Sequence, residues 1–572
     1  MLTSQLFAGD ALLEAIAADG PERISTTQNA SSPSVGKVQQ ALLTWDPAAL
    51  PRFGADSIYG SETEAAVHRF KVTELGVDES SVVDDVGPQT VVRLDEIQAA
   101  AENPEPPTPP TPPPSVFTRQ SVYALQPEGA PLHPIIRAYA RAVEVLKGNA
   151  GAAPQLTWDH HTQVHGMNPD PGDGLRNQCQ HATWYFLPWH RMEIFWFESV
   201  CRSIIAGLPD IDDETRRTWA LPYWNYDQDG SRAIPPAFRD PTFEGRANPL
   251  FESNRGPGIN AATTEMPSTI TTAAGWFPVT DFSVTDRARP SFGGFQTGFH
   301  HPIGGFPFGQ LEGGPHNSVH SRIGGRMNDS NQAAGDPIFW LHHANIDRLW
   351  EVWRANTGVG HDAAETAYLR QTFTFLAPDG TRTPHTPAGV VTTDTQLQYV
   401  YDDTSVPASA GVVTTRGGGA LNENPSQTIG SMQSGMAMVS GHPADVSIAL
   451  DPVGALDDVV NASRLVLMIE HVTAAAQVDT NFGVFVQPSD GSEGVMAGVL
   501  PMFGVHEASE DDAEHGLAFV FDVTNVVMRL SQLDQWDPSL LSLQIRSLAD
   551  DTDAVEQEWP DVNIGSISMM IA

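Results

Sequence analysis

The sequence predicts a multidomain protein with three folded parts: a small all-α N-terminal module, a mainly α central domain with long loops, and a C-terminal β-sandwich. Three observations support this division. A proline-rich run, ENPEPPTPPTPPPS, occupies residues 102–115. Segments with helical periodicity follow it, and short runs of alternating apolar residues fill the last part of the chain. At 572 residues the chain is long enough for several domains of ordinary size.

The first folded part is predicted at residues 35–101, after an N-terminal segment of residues 1–34. Val38 and Leu42 open an amphipathic helix, residues 63–70 form a second helix, and the turn VGPQT leads into a third. The turn YGSET, the pattern AVxxF and VGPQT together resemble a peptidoglycan-binding-type three-helix module. This resemblance implies a glycan or cell-wall contact, with a structural or docking role as the alternative.

The remaining boundaries follow from composition. The proline-rich run is predicted to be a spacer, because prolines favour an extended polyproline II conformation. It precedes a central domain of residues 116–403, and a Ser, Thr, Gly and Ala-rich linker is expected at residues 404–440. Residues 441–572 contain the alternating runs RLVLMIE, FGVFVQ, LAFVFDV and LSLQIR between turn residues, a pattern typical of a β-sandwich.

The charge of the chain excludes some partners. Its net charge is −39 and its pI is about 4.6, and such an acidic surface repels nucleic acid and anionic membranes. The sequence contains no run of 18 or more apolar residues, so no membrane span is predicted. The N-terminus lacks the basic region of a signal peptide and carries Asp10 and Glu14. The location is therefore left open between the cytoplasm and export by a non-classical route.

Six histidines of the central domain have the spacing of a paired metal centre. The two groups are His165, His181 and His190, and His316, His320 and His343. Neutral imidazole suits copper, with zinc, iron and nickel as competitors. Two sets of three imidazoles match two copper ions that each keep a position open for O2. The chain is therefore expected to bind a copper pair.

Helix signals position these histidines. His316 and His320 are four residues apart, so on one helix they project from the same face. Asp336 is a candidate N-cap for a helix that carries His343 and ends near Gly358.

His181 and His190 are nine residues apart and would face opposite ways on a single helix. Pro188 is predicted to start a new helix just before His190, which leaves His181 in the preceding turn.

Neighbouring histidines compete for two of the six positions. His161 lies four residues before His165, and the spacing to the next ligand and the VHG context favour His165. His342 directly precedes His343, and helical periodicity does not choose between them. The other nearby histidines, expected to be ordinary polar groups, are His160, His300 and His301.

Residues 116–401 resemble the type-3 copper proteins, the superfamily of tyrosinases, catechol oxidases and molluscan haemocyanins. The motifs that carry the resemblance are FLPWHR, LPYWNYD, PHNSVH, DPIFWLHHANIDRLW and YVY. The resemblance implies that the central domain is a four-helix bundle holding two coppers. It also implies oxidation of phenols and o-diphenols to o-quinones, with O2 as co-substrate and a small phenol as the partner.

The family's functional residues transfer one at a time. The ligands of the first copper match His165, His181 and His190, and those of the second match His316, His320 and His343, which is the register that favours His343 over its neighbour. Cys179 matches the cysteine that, in haemocyanins and fungal tyrosinases, is bonded to a histidine ring as a thioether, here His181. A buried thiol is the alternative for Cys179, and Cys201 is expected to be one.

Four further features bear on the site, the first and the third of them through the same resemblance. Glu312 and Asn317 match the pair proposed to hold a water that deprotonates a phenol, although Glu312 could equally be a surface carboxylate in a glycine-rich loop. Asp347 is a candidate acceptor for a ligand ring or, alternatively, a surface ion-pair partner of Arg348 or Arg354. Arg119 is expected to close the domain with Tyr399 and Tyr401. The loop at residues 292–308 could bring aromatic side chains near the coppers or simply be packed.

The C-terminal part resembles the β domain of latent polyphenol oxidases, where it can cover the copper site. It is therefore predicted to lie over the coppers, with a residue of the PMFG segment at 501–504 in the substrate position. A stabilising appendage is the alternative.

A tyrosinase or polyphenol oxidase is the expected function. A haemocyanin-like O2 carrier without turnover is the alternative, and a glycan-binding protein with a vestigial copper domain is a third. One copper domain per chain argues against the carrier, and the complete set of six histidines argues against the vestigial domain.

Overall fold

The computed structural model divides the chain into two compact units, Met1–Thr111 and Pro112–Ala572. The structure describes residues 2–102, 115–299, 303–355, 362–410, 426–432, 435–438, 442–451, 464–511, 516–548 and 559–572. Most of the proline-rich run, His300, His301 and Gly358 lie outside these residues. Within the described ranges, no helix has the length and apolar character that crossing a membrane requires.

The first unit is built from four helices around its own apolar core. They are α1 (Ala11–Ala17), α2 (Pro33–Trp45), α3 (Ser61–Leu75) and α4 (Pro88–Glu102). The backbone N–H groups of Thr3 and Ser4 donate to the carboxylate of Asp95 in α4, at 2.7 and 2.8 Å. Leu13 and Ile16 of α1 are fully buried in the same core. Residues 2–34 are therefore part of this module, which contains one helix more than the sequence predicts.

The second unit begins with a helical part that follows the proline-rich run. Its helices are α5 (Val122–Leu125), α6 (Pro134–Gly148), α7 (Trp158–His165), α8 (Phe186–Ala206), α9 (Asp213–Thr218), α10 (Ser268–Thr271), α11 (Asn317–Ile323), α12 (Ile338–Ala355) and α13 (Thr366–Arg370). Its short strands are β1 (Phe117–Arg119), β2 (Thr242–Phe243), β3 (Arg246–Ala247), β4 (Ser283–Val284), β5 (Gly294–Phe295), β6 (Phe373–Leu376), β7 (Arg382–His385) and β8 (Tyr399–Tyr401).

Local signals account for the helix starts around the histidines. Thr157 caps α7 by accepting a hydrogen bond from the backbone of His160 at 3.3 Å. The Asp336 side chain accepts from the backbone of Ile338 at 3.1 Å, at the start of α12. Helix α8 starts at Phe186, two residues before Pro188. The first turn tolerates this proline, because the N–H that proline lacks would have no partner inside the helix there.

A buried ionic cluster closes the helical part. Strand β1 pairs in parallel with β8, and Asp347 of α12 accepts from the hydroxyls of Tyr399 and Tyr401 at 2.6 and 2.5 Å. The guanidinium groups of Arg119 and Arg191 reach the same carboxylate at 3.3 and 2.5 Å. These partners hold the pKa of Asp347 below its usual value despite burial. Asp347 is thus a buried closing contact. The hydrogen-bond partners of its carboxylate among the described residues include no ligand ring, so the predicted role as acceptor for one is wrong, and so is the alternative of a surface pair with Arg348 or Arg354.

The C-terminal part of the second unit consists of two antiparallel sheets. The strands are β9 (Gln427–Met432), β10 (Met436–Met438), β11 (Ala444–Ala449), β12 (Leu465–Ala474), β13 (Asn481–Val486), β14 (Val495–Pro501), β15 (Leu517–Asp522), β16 (Leu540–Ser547) and β17 (Val562–Ile571). One sheet has the order β10-β17-β12-β15, with β9 also on β17, and the other has the order β11-β16-β13-β14. Two helices, α14 (Val505–Asp511) and α15 (Thr524–Gln532), complete this β domain.

The β domain begins earlier than the sequence predicts. Strands β9 and β10 both pair with β17, although they lie inside the predicted 404–440 linker. The described segment before β9 ends at residue 410 and the next begins at residue 426, so residues 411–425 lie outside the described residues.

The β domain is joined to the helical part by backbone pairing. Strand β15 is the last strand of its sheet, and the loop that precedes the second histidine group continues it. Gly305 N–H donates to Gly516 O at 3.0 Å, Phe308 N–H donates to Ala518 O at 3.4 Å, and Gln310 Nε2 donates to Val520 O at 2.9 Å. The far end of the predicted 292–308 loop therefore docks the β domain.

Candidate metal centre

The first three predicted histidines form a nearly equilateral group. His165 is the last residue of α7, His181 lies in the loop before α8, and His190 lies in the second turn of α8. Their ring centroids are separated by 5.4 to 5.5 Å, and all three side chains are buried.

Backbone carbonyls fix two of these rings. Nδ1 of His165 lies 2.9 Å from the carbonyl oxygen of Ser330, and Nδ1 of His190 lies 2.8 Å from that of Phe186. A ring that donates through Nδ1 keeps its lone pair on Nε2, which is the tautomer that a metal needs. Burial lowers the pKa of His190 to about 3, so the ring is neutral at ordinary pH.

The second group is formed by the π-helical turn Glu312–His316, helix α11 and helix α12. Nε2 of His343 lies 3.2 Å from Nε2 of His316 and 3.4 Å from Nε2 of His320. Nδ1 of His320 contacts the carbonyl oxygen of Met327 at 2.5 Å. Three Nε2 atoms therefore converge on one point, as three ligands of one metal ion must.

The two groups face each other inside one pocket. The rings of His190 and His343 stack with their centroids 4.5 Å apart, and those of His181 and His316 lie 6.1 Å apart. Six buried imidazoles with no carboxylate in either group suit copper among the metals that accept nitrogen ligands. The residues present therefore fit the copper pair that the family implies.

The competing histidines differ in where they lie. Nε2 of His161 lies 2.9 Å from the carbonyl oxygen of Gln155, which engages that ring outside the six-ring group. His342, in contrast, joins the second group, because ligand atoms of His316, His320, His342 and His343 all lie within 4.8 Å of one another. The sequence could not reveal this, since adjacent residues of a helix diverge by about 100°.

Cys179 lies beside the first group. Its thiol and ligand atoms of His165 and His181 are within 4.8 Å of one another. Burial raises the pKa of the Cys179 thiol well above its usual value. Cys201 is buried in the middle of α8, as expected. The thioether to His181 stays a prediction.

Glu312 and Asn317 flank His316. Both carboxylate oxygens of Glu312 accept from the backbone N–H of Ala182, at 2.9 and 3.0 Å, and burial raises its pKa well above the usual value. Asn317 Oδ1 lies 2.7 Å from Nδ1 of His316 and fixes that ring. Glu312 is completely buried, so the alternative of a surface carboxylate is wrong.

A side chain of the β domain contacts the histidines. The Phe503 ring is fully buried and stacks on His320, with centroids 4.2 Å apart, and lies 5.6 and 5.7 Å from the rings of His181 and His316. Met502 N–H donates to Ser321 Oγ at 3.0 Å and holds the segment in place. The β domain therefore covers this side of the histidine pocket.

Comparisons with known proteins agree with this architecture. A family model described as the common central domain of tyrosinase matches residues 155–356, and a domain of unknown function (DUF7868) matches residues 425–571. Tyrosinase HcTyr1 of Hahella sp. (strain CCB-MM4) is 30% identical over 493 residues, 79% of this chain and 98% of that protein. The latent form of the chloroplastic polyphenol oxidase of Prunus armeniaca is 26% identical over 275 residues, 43% of this chain and 42% of that protein.

Solved structures share the fold at low identity. Latent apple tyrosinase superposes with a TM-score of 0.54 at 18% identity, covering 81% of this chain and 99% of that one. Latent aurone synthase, a polyphenol oxidase, gives a TM-score of 0.55 at 16% identity, covering 81% of this chain and 90% of that one. Copper-dependent phenol oxidation is the activity that these relatives indicate. The chain therefore belongs to the tyrosinase and polyphenol oxidase family of type-3 copper oxidoreductases.

Proposed function

We propose that this protein is a latent polyphenol oxidase that oxidises phenols and o-diphenols to o-quinones with O2. The ligands proposed for its two copper ions are His165, His181, His190, His316, His320 and His343. One observation carries the proposal: two groups of three buried imidazoles face each other, with His190 and His343 4.5 Å apart.

The copper pair and the protein would have different roles in the reaction. When bound, the copper pair would supply electron transfer from the substrate to O2 and Lewis-acid activation of the substrate oxygen. Two molecules of o-diphenol give up four electrons and four protons, which convert one O2 into two waters. Burial lowers the pKa of four of the ligand rings and so keeps them neutral, namely His190, His316, His320 and His343. Nδ1 contacts orient four rings, namely His165, His190, His316 and His320.

A monophenol consumes one O2 per molecule, because one oxygen atom enters the ring beside the hydroxyl and the other leaves as water. Its hydroxyl proton must also be removed. We assign Glu312 and Asn317 to a water that accepts this proton. Ala182 N–H holds the Glu312 carboxylate, and Asn317 Nδ2 is buried without a hydrogen bond, although its Oδ1 is engaged by His316. Burial favours the protonated form of Glu312, and the positive charge of bound metal would favour the ionised form that a base requires.

Latency is the second part of the proposal. The stacking of Phe503 on His320 at 4.2 Å supports a role as a plug that a phenol must displace. Opening requires breaking the pairing of β15 with the 305–310 segment, so activity is expected to depend on release of the β domain. A dioxygen carrier is not favoured, because the relatives named above are a tyrosinase and a polyphenol oxidase.

Oxygen uptake tests the proposal directly. The copper-loaded chain is assayed with catechol and with a monophenol, before and after cleavage between residues 404 and 426 and in mild detergent. Slow uptake that rises several-fold on opening is expected, with monophenol turnover slower than catechol turnover and preceded by a lag. Reversible O2 binding without quinone formation would contradict the oxidase. Full activity of the intact chain would contradict latency alone.

The glycan contact of the N-terminal module also stays a prediction. The full chain should sediment with insoluble peptidoglycan, and a chain that lacks residues 1–102 should stay in the supernatant. Equal sedimentation of both chains would show that the N-terminal module is not responsible for the contact with peptidoglycan.

A further inference from the structure

We propose that His342 is a reserve copper ligand, which together with His316 and His320 forms an alternative three-imidazole set beside the one completed by His343. The proposal rests on the proposed function, because it concerns the same second copper. His342 would give that copper a second set of three ligands, distinct from the set completed by His343.

The geometry supplies four rings where three are needed. The His342 ring lies 4.8 Å from that of His320 and 5.3 Å from that of His316. It lies 5.2 Å from the ring of His343. Because ligand atoms of all four lie within 4.8 Å of one another, either neighbour on α12 can complete a set with His316 and His320.

The state of the His342 ring points to a ligand. The side chain is fully buried, and neither ring nitrogen makes a well-formed hydrogen bond, although the His316 backbone lies close enough to interact. Buried polar groups without partners are uncommon and costly, and they often mark an ion or water that is not seen. His161 shows the ordinary arrangement for a buried histidine here, with Nε2 engaged by a backbone carbonyl.

The two rings differ in what they pack against. His343 stacks on His190 of the first group at 4.5 Å. His342 instead packs against Tyr226 at 5.6 Å, and no ring of the first group is in contact with it among the described residues. A copper held by His342 would therefore be bound by a ring that packs against Tyr226 and the second group, whereas the His343 ring stacks on the first group.

The two rings are close enough to serve the same copper. His342 and His343 are adjacent on α12, and their ring centroids lie 5.2 Å apart. Either set would use His316 and His320, so the two sets would differ in one ring only.

Copper content separates the alternatives without recourse to activity. The full-length chain and three variants, His343→Ala, His342→Ala and the double variant, are loaded and dialysed, and copper per chain is measured. Wild type and both single variants should hold about two coppers, and the double variant about one. Chelator competition should show the second copper at least about tenfold tighter in His343→Ala than in the double variant. His343→Ala should also give the electron paramagnetic resonance signal of an uncoupled Cu(II).

Two outcomes would overturn the inference, and a third would also refute the proposed function. Equal copper content and equal second-copper affinity in His343→Ala and the double variant would refute the reserve ligand. So would an His343→Ala chain that holds one copper. If the alanine variants do not fold, judged by circular dichroism, the same comparison is made with His342→Phe and His343→Phe. A wild-type chain that binds no copper pair would refute the proposed function itself.

Discussion

If the β domain keeps the enzyme latent as proposed, removing the Phe503 ring should open the site. The side chain is fully buried and contacts rings of three ligands, at 4.2 Å for His320 and 5.6 and 5.7 Å for the other two. Truncation of a fully buried phenylalanine to alanine costs about 3–5 kcal/mol. This cost falls on the closed state, because the ring is exposed to water once the β domain has moved away.

The size of the effect follows from that difference. At about 1.4 kcal/mol per factor of ten, Phe503→Ala should raise the ratio of open to closed protein by about two to three and a half orders of magnitude. Catechol oxidation by the uncleaved, copper-loaded chain, followed by O2 uptake, should therefore rise by at least about tenfold before the open fraction saturates. Phe503→Leu, which keeps a branched apolar side chain, should give a smaller gain.

A second phenylalanine of the β domain provides the control. Phe482 is also buried and packs against Trp559, with ring centroids 5.4 Å apart, and its ring contacts among the described residues include no histidine. Phe482→Ala should lower the unfolding temperature of the β domain and leave the plug in place. Unchanged activity of Phe503→Ala would refute the plug. Equal activation by both variants would show that loss of β-domain stability, and not the plug, controls access.

Three further predictions concern single side chains. Copper loading in the presence of O2, which takes up the two electrons and two protons released, should join Cys179 to His181 and give a cross-linked peptide two hydrogens lighter, while Cys201 stays alkylatable after denaturation. Glu312→Gln should slow monophenol turnover by about 10² or more and leave catechol oxidation less affected, because general-base help is worth about 10²–10⁴; an equal loss on both substrates would make Glu312 a structural residue. Burial of Glu507 against Asp329 raises its pKa to about 9, so the covered state keeps a proton that an exposed glutamate releases near pH 4.3. Latency should therefore weaken as pH rises between these values, and Glu507→Gln should remove that dependence.

The parts of the site that depend on local chain geometry could be predicted from the sequence. His316 and His320 share a face because they are four residues apart, and Asp336 starts α12 by capping it. The competition between His342 and His343 could not be resolved in this way. It depends on which rings of other helices approach α12, and that is decided by tertiary packing.

Contacts between distant segments were the least predictable. Asp347 has charged neighbours in sequence, but its buried partners come from β1, α8 and β8. Strands β9 and β10 lie in a Ser- and Gly-rich stretch with little alternation, and pairing with β17 makes them strands. The contact of a residue of the PMFG segment with the pocket was predicted from the resemblance. That this residue is Phe503 and that its ring stacks on His320 could be seen only in the structure.

The short segment Met327–Ser330 links the β domain to both groups of histidines. Ser330 O fixes His165 of the first group, and Met327 O fixes His320 of the second. Between them, Asn328 Nδ2 donates to Val478 O of the β domain at 2.8 Å, and its carbonyl accepts from Gly504 N–H at 3.4 Å. The backbone that orients one ligand of each copper is thus the backbone on which the β domain rests.

Copper binding and closure of the β domain should therefore be coupled, and thermodynamic linkage requires the coupling to be reciprocal. Copper loading should slow proteolysis of the 404–426 region, and Asn328→Ala should weaken copper binding in a chelator competition. Gln310→Ala is the matched control, because Gln310 also donates a side-chain amide to a β-domain carbonyl, at 2.9 Å, but does not contact this segment. Equal copper affinity in the two variants would mean that the β domain limits only the access of substrate to the pocket and does not affect the copper ligands. A weaker affinity in Asn328→Ala only would show that opening the site also loosens its metal, so that latency protects the copper as well as the substrate position.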